Sequence, residues 1–92
     1  MNKKELILAA AAAAQLDKQD MTRAVEALLG EIAQAMRRGE QVHLTGFGVF
    51  ETRLRQGYTA NNPKTGALMQ VEAAKIPVFR PAKGLKDRIQ EE

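Results

Sequence analysis

Ninety-two residues with a formal net charge of +3 make a single small, basic domain. There is no Cys and only one His, His43, which excludes disulfides, thiolate zinc sites, a cysteine nucleophile and a histidine dyad. Apolar content of 45% and charged content of 27% belong to a folded soluble chain, not a disordered one.

The first helix is signalled by Asn2-Lys3-Lys4-Glu5, a capping box with Asn2 at N-cap and Glu5 at N3. Leu6, Ile7 and Ala10 follow at helical spacing, and the alanines from Ala9 to Ala14 are strong helix formers. Lys3 and Lys4 before an apolar stretch superficially suggest a targeting segment. Glu5 interrupts that pattern and the stretch leads into Gln15 and Asp17, so no targeting signal is expected. No apolar run approaches the roughly 20 residues of a membrane span.

Asp17 is the N-cap of a second helix, with Asp20 at N3. Met21, Val25, Leu28, Ile32 and Met36 recur at i, i+3/i+4 steps. Arg37 and Arg38 suit the negative end of its dipole, and Gly39 suits C′. Gly30 inside this helix costs about 1 kcal/mol against alanine and is expected to mark a close helix contact.

From residue 41 the period changes to two. Val42 and Leu44 alternate with Gln41, His43 and Thr45, which makes His43 an exposed strand residue rather than a base. Gly46-Phe47-Gly48 is a turn, residues 49–54 a second strand and residues 68–79 a third. Between these two strands, from Arg55 to Ala67, Tyr58 is the only large apolar residue, and Asn62-Pro63-Lys64-Thr65-Gly66 has turn chemistry. This is a long hairpin that cannot bury itself and is mobile until bound. Pro77 confines the third strand to an edge or a bulge. Arg80-Pro81-Ala82-Lys83 begins a last short helix with Pro81 near its first turn and Leu85 and Ile89 on one face. The fold class is α+β: two N-terminal helices, a three-stranded antiparallel sheet with a long β-hairpin arm, and a short C-terminal helix. The whole of 1–92 reads as one domain, with a helical base at 1–40, sheet and arm at 41–80 (the arm spanning 53–76), and a C-terminal helix at 81–92.

Catalysis has little to work with. There is no serine, no phosphate-binding glycine loop with its lysine, and no clustered carboxylates. No enzyme activity, metal or cofactor is expected. The charges point elsewhere. Residues 1–40 hold six Lys/Arg and six Asp/Glu, whereas residues 41–86 hold seven Lys/Arg and two acids, so the positive field belongs to the second half. Arg53 and Arg55 share parity on the second strand, and Lys83 and Lys86 lie on one face of the last helix. A polar arm with a rigid proline at its tip has no core role and suits a device that reaches around a polyanion. Neither long helix carries the Arg/Asn/Gln cluster of a base-reading element, so shape rather than sequence would be recognised.

Gly46-Phe47-Gly48-Val49-Phe50-Glu51, then Asn62-Pro63-Lys64-Thr65-Gly66, then Phe79-Arg80-Pro81 with Lys83, Leu85 and Lys86, resemble the bacterial histone-like family of HU and integration host factor, and HU more than the longer host-factor subunits. The resemblance covers the whole chain. It implies an intertwined dimer whose helices form a base and whose sheets form a saddle with two β-arms. The arms enter the DNA minor groove, and a proline at each tip wedges between base pairs and kinks the duplex, as architectural proteins do. Carried onto this chain, Pro63 is the wedge and Asn62 shapes the tip. Arg53, Arg55, Lys75, Arg80, Lys83, Lys86 and Lys3 contact phosphates, and Phe47, Phe50 and Phe79 form the dimer core. Lys64, Tyr58 and Asn61 join the DNA-binding set, Asn61 by bonding base edges and Tyr58 by packing on sugar.

One departure stands out. The stretch Tyr58-Thr59-Ala60-Asn61 contains no basic residue, where arms of the family usually carry arginine. The resemblance therefore implies a sequence-tolerant, DNA-bending nucleoid protein of the cytoplasm that favours bent, gapped or flexible double-stranded DNA. A homodimer is expected, with a heterodimer with a paralogue as the alternative. RNA stays open, because phosphate contacts do not identify the sugar. The competing readings are a site-specific bender and an interaction module on the same fold with weakened DNA binding.

Overall fold

Asn2 and Asp17 start the helices by the same device. The Asn2 Oδ1 accepts from the Glu5 backbone N–H at 2.8 Å, and an Asp17 carboxylate oxygen accepts from the Asp20 N–H at 2.7 Å. Each satisfies one of the donors that the first helical turn leaves unpaired. The computed structural model describes residues 1–91. It divides into two compact units, Met1–Gln34 and residue 35 onward.

In the first unit, α1 (Lys3–Ala14) ends at Gln15 in the left-handed conformation, φ 57°. The Leu16 N–H returns to the Ala11 carbonyl at 3.0 Å, closing the last turn. The helix α2 (Lys18–Arg37) follows, its last turn belonging to the second unit. Ile7, Ala11 and Met21 form the buried core, with Ala10 and Val25 packed against it. Alanine permits this close approach but supplies little apolar area, so the core is small. Leu6, Leu28 and Leu29 remain exposed. Beyond the neighbouring backbone of α2 itself, no atom of the described residues comes within 4 Å of a Cβ placed on Gly30. The expected close contact at Gly30 is thus not made within the chain.

In the second unit, β1 (Val42–Leu44), β2 (Gly48–Arg55) and β5 (Ala74–Pro81) form a three-stranded antiparallel sheet in the order β1-β2-β5. A separate two-stranded antiparallel ribbon, β3 (Tyr58–Asn61) with β4 (Leu68–Val71), makes the outer arm. The third strand expected over 68–79 is therefore two strands, broken at Glu72 and Ala73. Pro77 sits on the edge strand β5, opposite Thr52, where a missing donor is harmless.

Register fixes the faces. Gly48 pairs with Pro81, Phe50 with Phe79, Thr52 with Pro77 and Leu54 with Lys75, and residues opposite one another share a face. On this face the Thr52 hydroxyl donates to the Met36 carbonyl at 2.9 Å, and the Lys75 ammonium to the Arg37 carbonyl at 3.4 Å. Both bonds reach carbonyls of the last turn of α2, and the lysine charge suits the negative helix terminus. Gly39, φ 82°, closes α2, with its N–H on the Met36 carbonyl at 3.0 Å.

Pro81 lies in β5, not in the first turn of the last helix. The helix α3 (Lys83–Gln90) starts after Ala82, which makes no side-chain cap. The Ala82 N–H bonds the Phe47 carbonyl at 2.9 Å instead, so a sheet contact sets where the helix begins. Glu92, the last residue of the expected helical span 81–92, lies outside the described residues.

Candidate nucleic-acid interface

The opposite face of the sheet carries the charge. Val49, Glu51, Arg53 and Arg55 alternate outward along β2, and Arg80 joins them because it pairs with Val49. His43, also paired with Val49, extends the same face and is exposed. Arg53, Arg55 and Arg80 are therefore brought together. Lys75 is not: it stands opposite Leu54, on the other face, turned toward the end of α2. Its strand parity separates Lys75 from the arginine face.

Glu51 ties the charged face together. A Glu51 carboxylate oxygen accepts from Arg80 Nε at 2.5 Å and from Arg53 Nη2 at 3.3 Å. The other carboxylate oxygen accepts from Gln41 Nε2 at 3.1 Å, and Gln41 Oε1 lies 3.0 Å from His43 Nε2. The Arg80 hydrogen bond, aided by those from Gln41 and Arg53, holds the Glu51 carboxyl below its ordinary value of 4.5. Glu51 shares parity with Arg53 and Arg55, which was a legible signal. Its tie to Arg80 spans 29 residues of sequence and was not.

The arm leaves the sheet between Arg55 and Ala74. An Arg55 Nη2 donates to the Glu72 carbonyl at 3.3 Å, and its guanidinium lies 6.0 Å from the Tyr58 ring centroid, the outer limit of a cation–π contact. At the tip, the Asn62 Oδ1 accepts from the Lys64 N–H at 2.9 Å, and the Asn62 carbonyl accepts from the Gly66 N–H at 2.7 Å. Gly66 takes φ 73°, a conformation that L side chains rarely adopt. These bonds hold Pro63 and Lys64 exposed at the apex. Asn61 is exposed on β3 opposite Leu68.

Two further basic sites lie elsewhere. Lys83 and Lys86 share a face of α3, where Lys83 stands 3.8 Å from Asp87. Lys3, in the first unit, is ion-paired with Glu26. The three phenylalanines meet: Phe50 and Phe79 ring centroids are 4.8 Å apart and Phe47 and Phe79 5.6 Å. Phe47 and Phe79 nevertheless remain 44% and 38% exposed. Among the described residues no cluster of His, Cys, Asp and Glu could hold a metal ion, and no helix is long and apolar enough to cross a membrane.

Comparison with known proteins agrees with this geometry. The family model described as "Bacterial DNA-binding protein" matches residues 1–90. DNA-binding protein HU of Geobacillus stearothermophilus is 47% identical over 90 residues, covering 98% of this chain and all of that one. DNA-binding protein HU 1 of Bacillus subtilis (strain 168) is 44% identical over 89 residues, covering 97% of each. Among solved structures, the Anabaena HU–DNA cocrystal structure superposes with a TM-score of 0.89 at 36% identity, covering 97% of both chains. HU from Thermotoga maritima gives 0.68 at 31% identity, covering 97% of this chain and 98% of that one. With an arginine-bearing sheet face, a hairpin arm and full-length similarity to these proteins, the chain belongs to the bacterial DNA-binding protein family of HU.

Proposed function

We propose that this protein binds duplex DNA with little regard to sequence and bends it, acting as a nucleoid architectural protein rather than an enzyme. The observation that carries this reading is the shared face of Arg53, Arg55 and Arg80 at the root of the arm. Such a face tracks phosphates, and neutralising them releases counterions, which makes binding salt-dependent. Lys83, Lys86 and Lys3 extend the phosphate contacts. Pro63, held at the apex by the Asn62 and Gly66 bonds, is the wedge. Unstacking one base step costs about a few kcal/mol, which the phosphate contacts offset. Lys64 flanks the wedge, and Tyr58 and Asn61 line the arm that enters the minor groove.

The working unit is a dimer. Phe47 and Phe79 are too exposed for residues of a finished core, and Leu28 and Leu29 stand open on α2. A second copy would cover such surface. The double-stranded DNA partner and the cytoplasmic nucleoid location follow from the same reading.

The interaction-module alternative draws on one observation: Lys64 and Glu72 are the only charged residues between Arg55 and Lys75. An anisotropy titration separates the two. A labelled duplex of unrelated sequence is titrated across a salt series beside the same duplex carrying a gap. Salt-sensitive binding to both, tighter for the gapped duplex, is expected. Absence of binding to either at low salt overturns the proposal in favour of the interaction module.

A further inference from the structure

The register of the arm sorts its side chains into two strips. Tyr58 pairs with Val71 and Ala60 with Met69, so these four share one face. Thr59 pairs with Gln70 and Asn61 with Leu68, so these four share the other. The second strip is exposed throughout. It offers a hydroxyl, two carboxamides and the exposed Leu68 side chain, and no charge. The tip carboxamide is not equivalent, because the Asn62 Oδ1 is already taken by the Lys64 N–H.

The chemistry of that strip differs from that of a cation. Every base pair presents acceptors in the minor groove, at purine N3 and pyrimidine O2, and guanine alone adds a donor, its N2 amine. Lys and Arg only donate. They are also drawn to narrow A·T tracts by the enhanced negative potential there. A carboxamide donates and accepts, so it can take the guanine amine on its oxygen, and without charge it gains nothing from the narrow groove.

Resting on the DNA-binding reading above, we propose that the arm takes guanine-bearing minor grooves, with Asn61 accepting the guanine N2 amine. Asn61 is the specificity-determining residue, because it stands on the polar strip next to the tip and leads the wedge into the groove. The DNA class preferred at the arm-entry segments is G·C-bearing duplex, not A·T tract.

The test uses the full protein and three gapped duplexes that differ only where the arms enter: G·C, A·T, and inosine·C, which lacks the N2 amine and the one pairing bond it makes but keeps the other two bonds of G·C. For the natural sequence the inosine duplex should bind more weakly than the G·C duplex by about five-fold for each arm, the effect of one net hydrogen bond per arm. Asn61→Ala should abolish that difference while still binding all three, and Asn61→Arg should shift preference to A·T. Inosine binding as tightly as G·C, or more tightly, overturns the assignment while leaving the DNA-binding reading intact. Failure of every duplex to bind at low salt overturns both. The thermal unfolding midpoints of the two variants verify that position 61, exposed on the arm, does not alter folding.

Discussion

Arg80 Nε donates to a Glu51 carboxylate oxygen across the β2–β5 pair at 2.5 Å, and the same oxygen holds Arg53 at 3.3 Å. One carboxylate thus occupies two of the three arginines on the charged face. A phosphate arriving at that face competes with Glu51 for both. Glu51→Gln should therefore tighten binding to duplexes of every sequence and steepen its decline with salt. Unchanged affinity and unchanged slope in the anisotropy titration would mean that Arg53 and Arg80 do not meet phosphate.

The same pair makes a stability prediction. The Glu51 carboxyl lies below its ordinary 4.5 in the folded chain because the ionised form is hydrogen-bonded to Arg80 first, then Gln41 and Arg53. A depressed folded value contributes stability that is complete above the unfolded value and is lost as pH falls through the folded one. Between about pH 6 and about pH 3, natural protein should lose more thermal stability than Glu51→Gln, with the difference growing below 4.5. Parallel curves of unfolding midpoint against pH would show that the pair contributes nothing.

Gly48 cannot carry a side chain. A Cβ there would lie 2.5 Å from Phe79 Cε1 and 2.7 Å from the Arg80 carbonyl oxygen. The ring could turn, but the strand backbone cannot retreat without breaking the β2–β5 ladder. Gly48→Ala should destabilise by about 1–3 kcal/mol, the usual cost of overpacking, read as a lowered urea midpoint with unchanged slope.

Lys75 and Arg53 offer a contrast of faces. Removing Arg53 by Arg53→Gln should reduce the slope of log affinity against log salt by about one unit. Lys75→Gln should leave the slope nearly unchanged, since Lys75 faces the Arg37 carbonyl rather than the arginine face. Equal loss from both would place Lys75 on the DNA.

Pro63→Ala should reduce bending more than it reduces affinity. The wedge acts on base stacking, whereas affinity resides mostly in phosphates. Fluorescence transfer between duplex ends measures the bend, and equal transfer for the two proteins would rule out the wedge.

The sequence by itself determined the local devices. The Asn2 and Asp17 caps, the Gly39 end of α2, and the tip turn around Pro63 each depend on bonds between residues two to five apart, so their residue types suffice to read them. The parity of Arg53 and Arg55 was legible for the same reason, because a strand alternates whatever it pairs with. The tertiary structure decided what depends on pairing between distant segments. It set Arg80 against Val49 and thus beside Glu51, turned Lys75 away to the end of α2, and kept Pro81 in the sheet so that the last helix starts at Lys83. Shifting β5 by one residue against β2 would exchange every one of those faces. That register is chosen by the meeting of Phe50 with Phe79 and by the space Gly48 leaves, which are non-local contacts that no stretch of the chain carries alone.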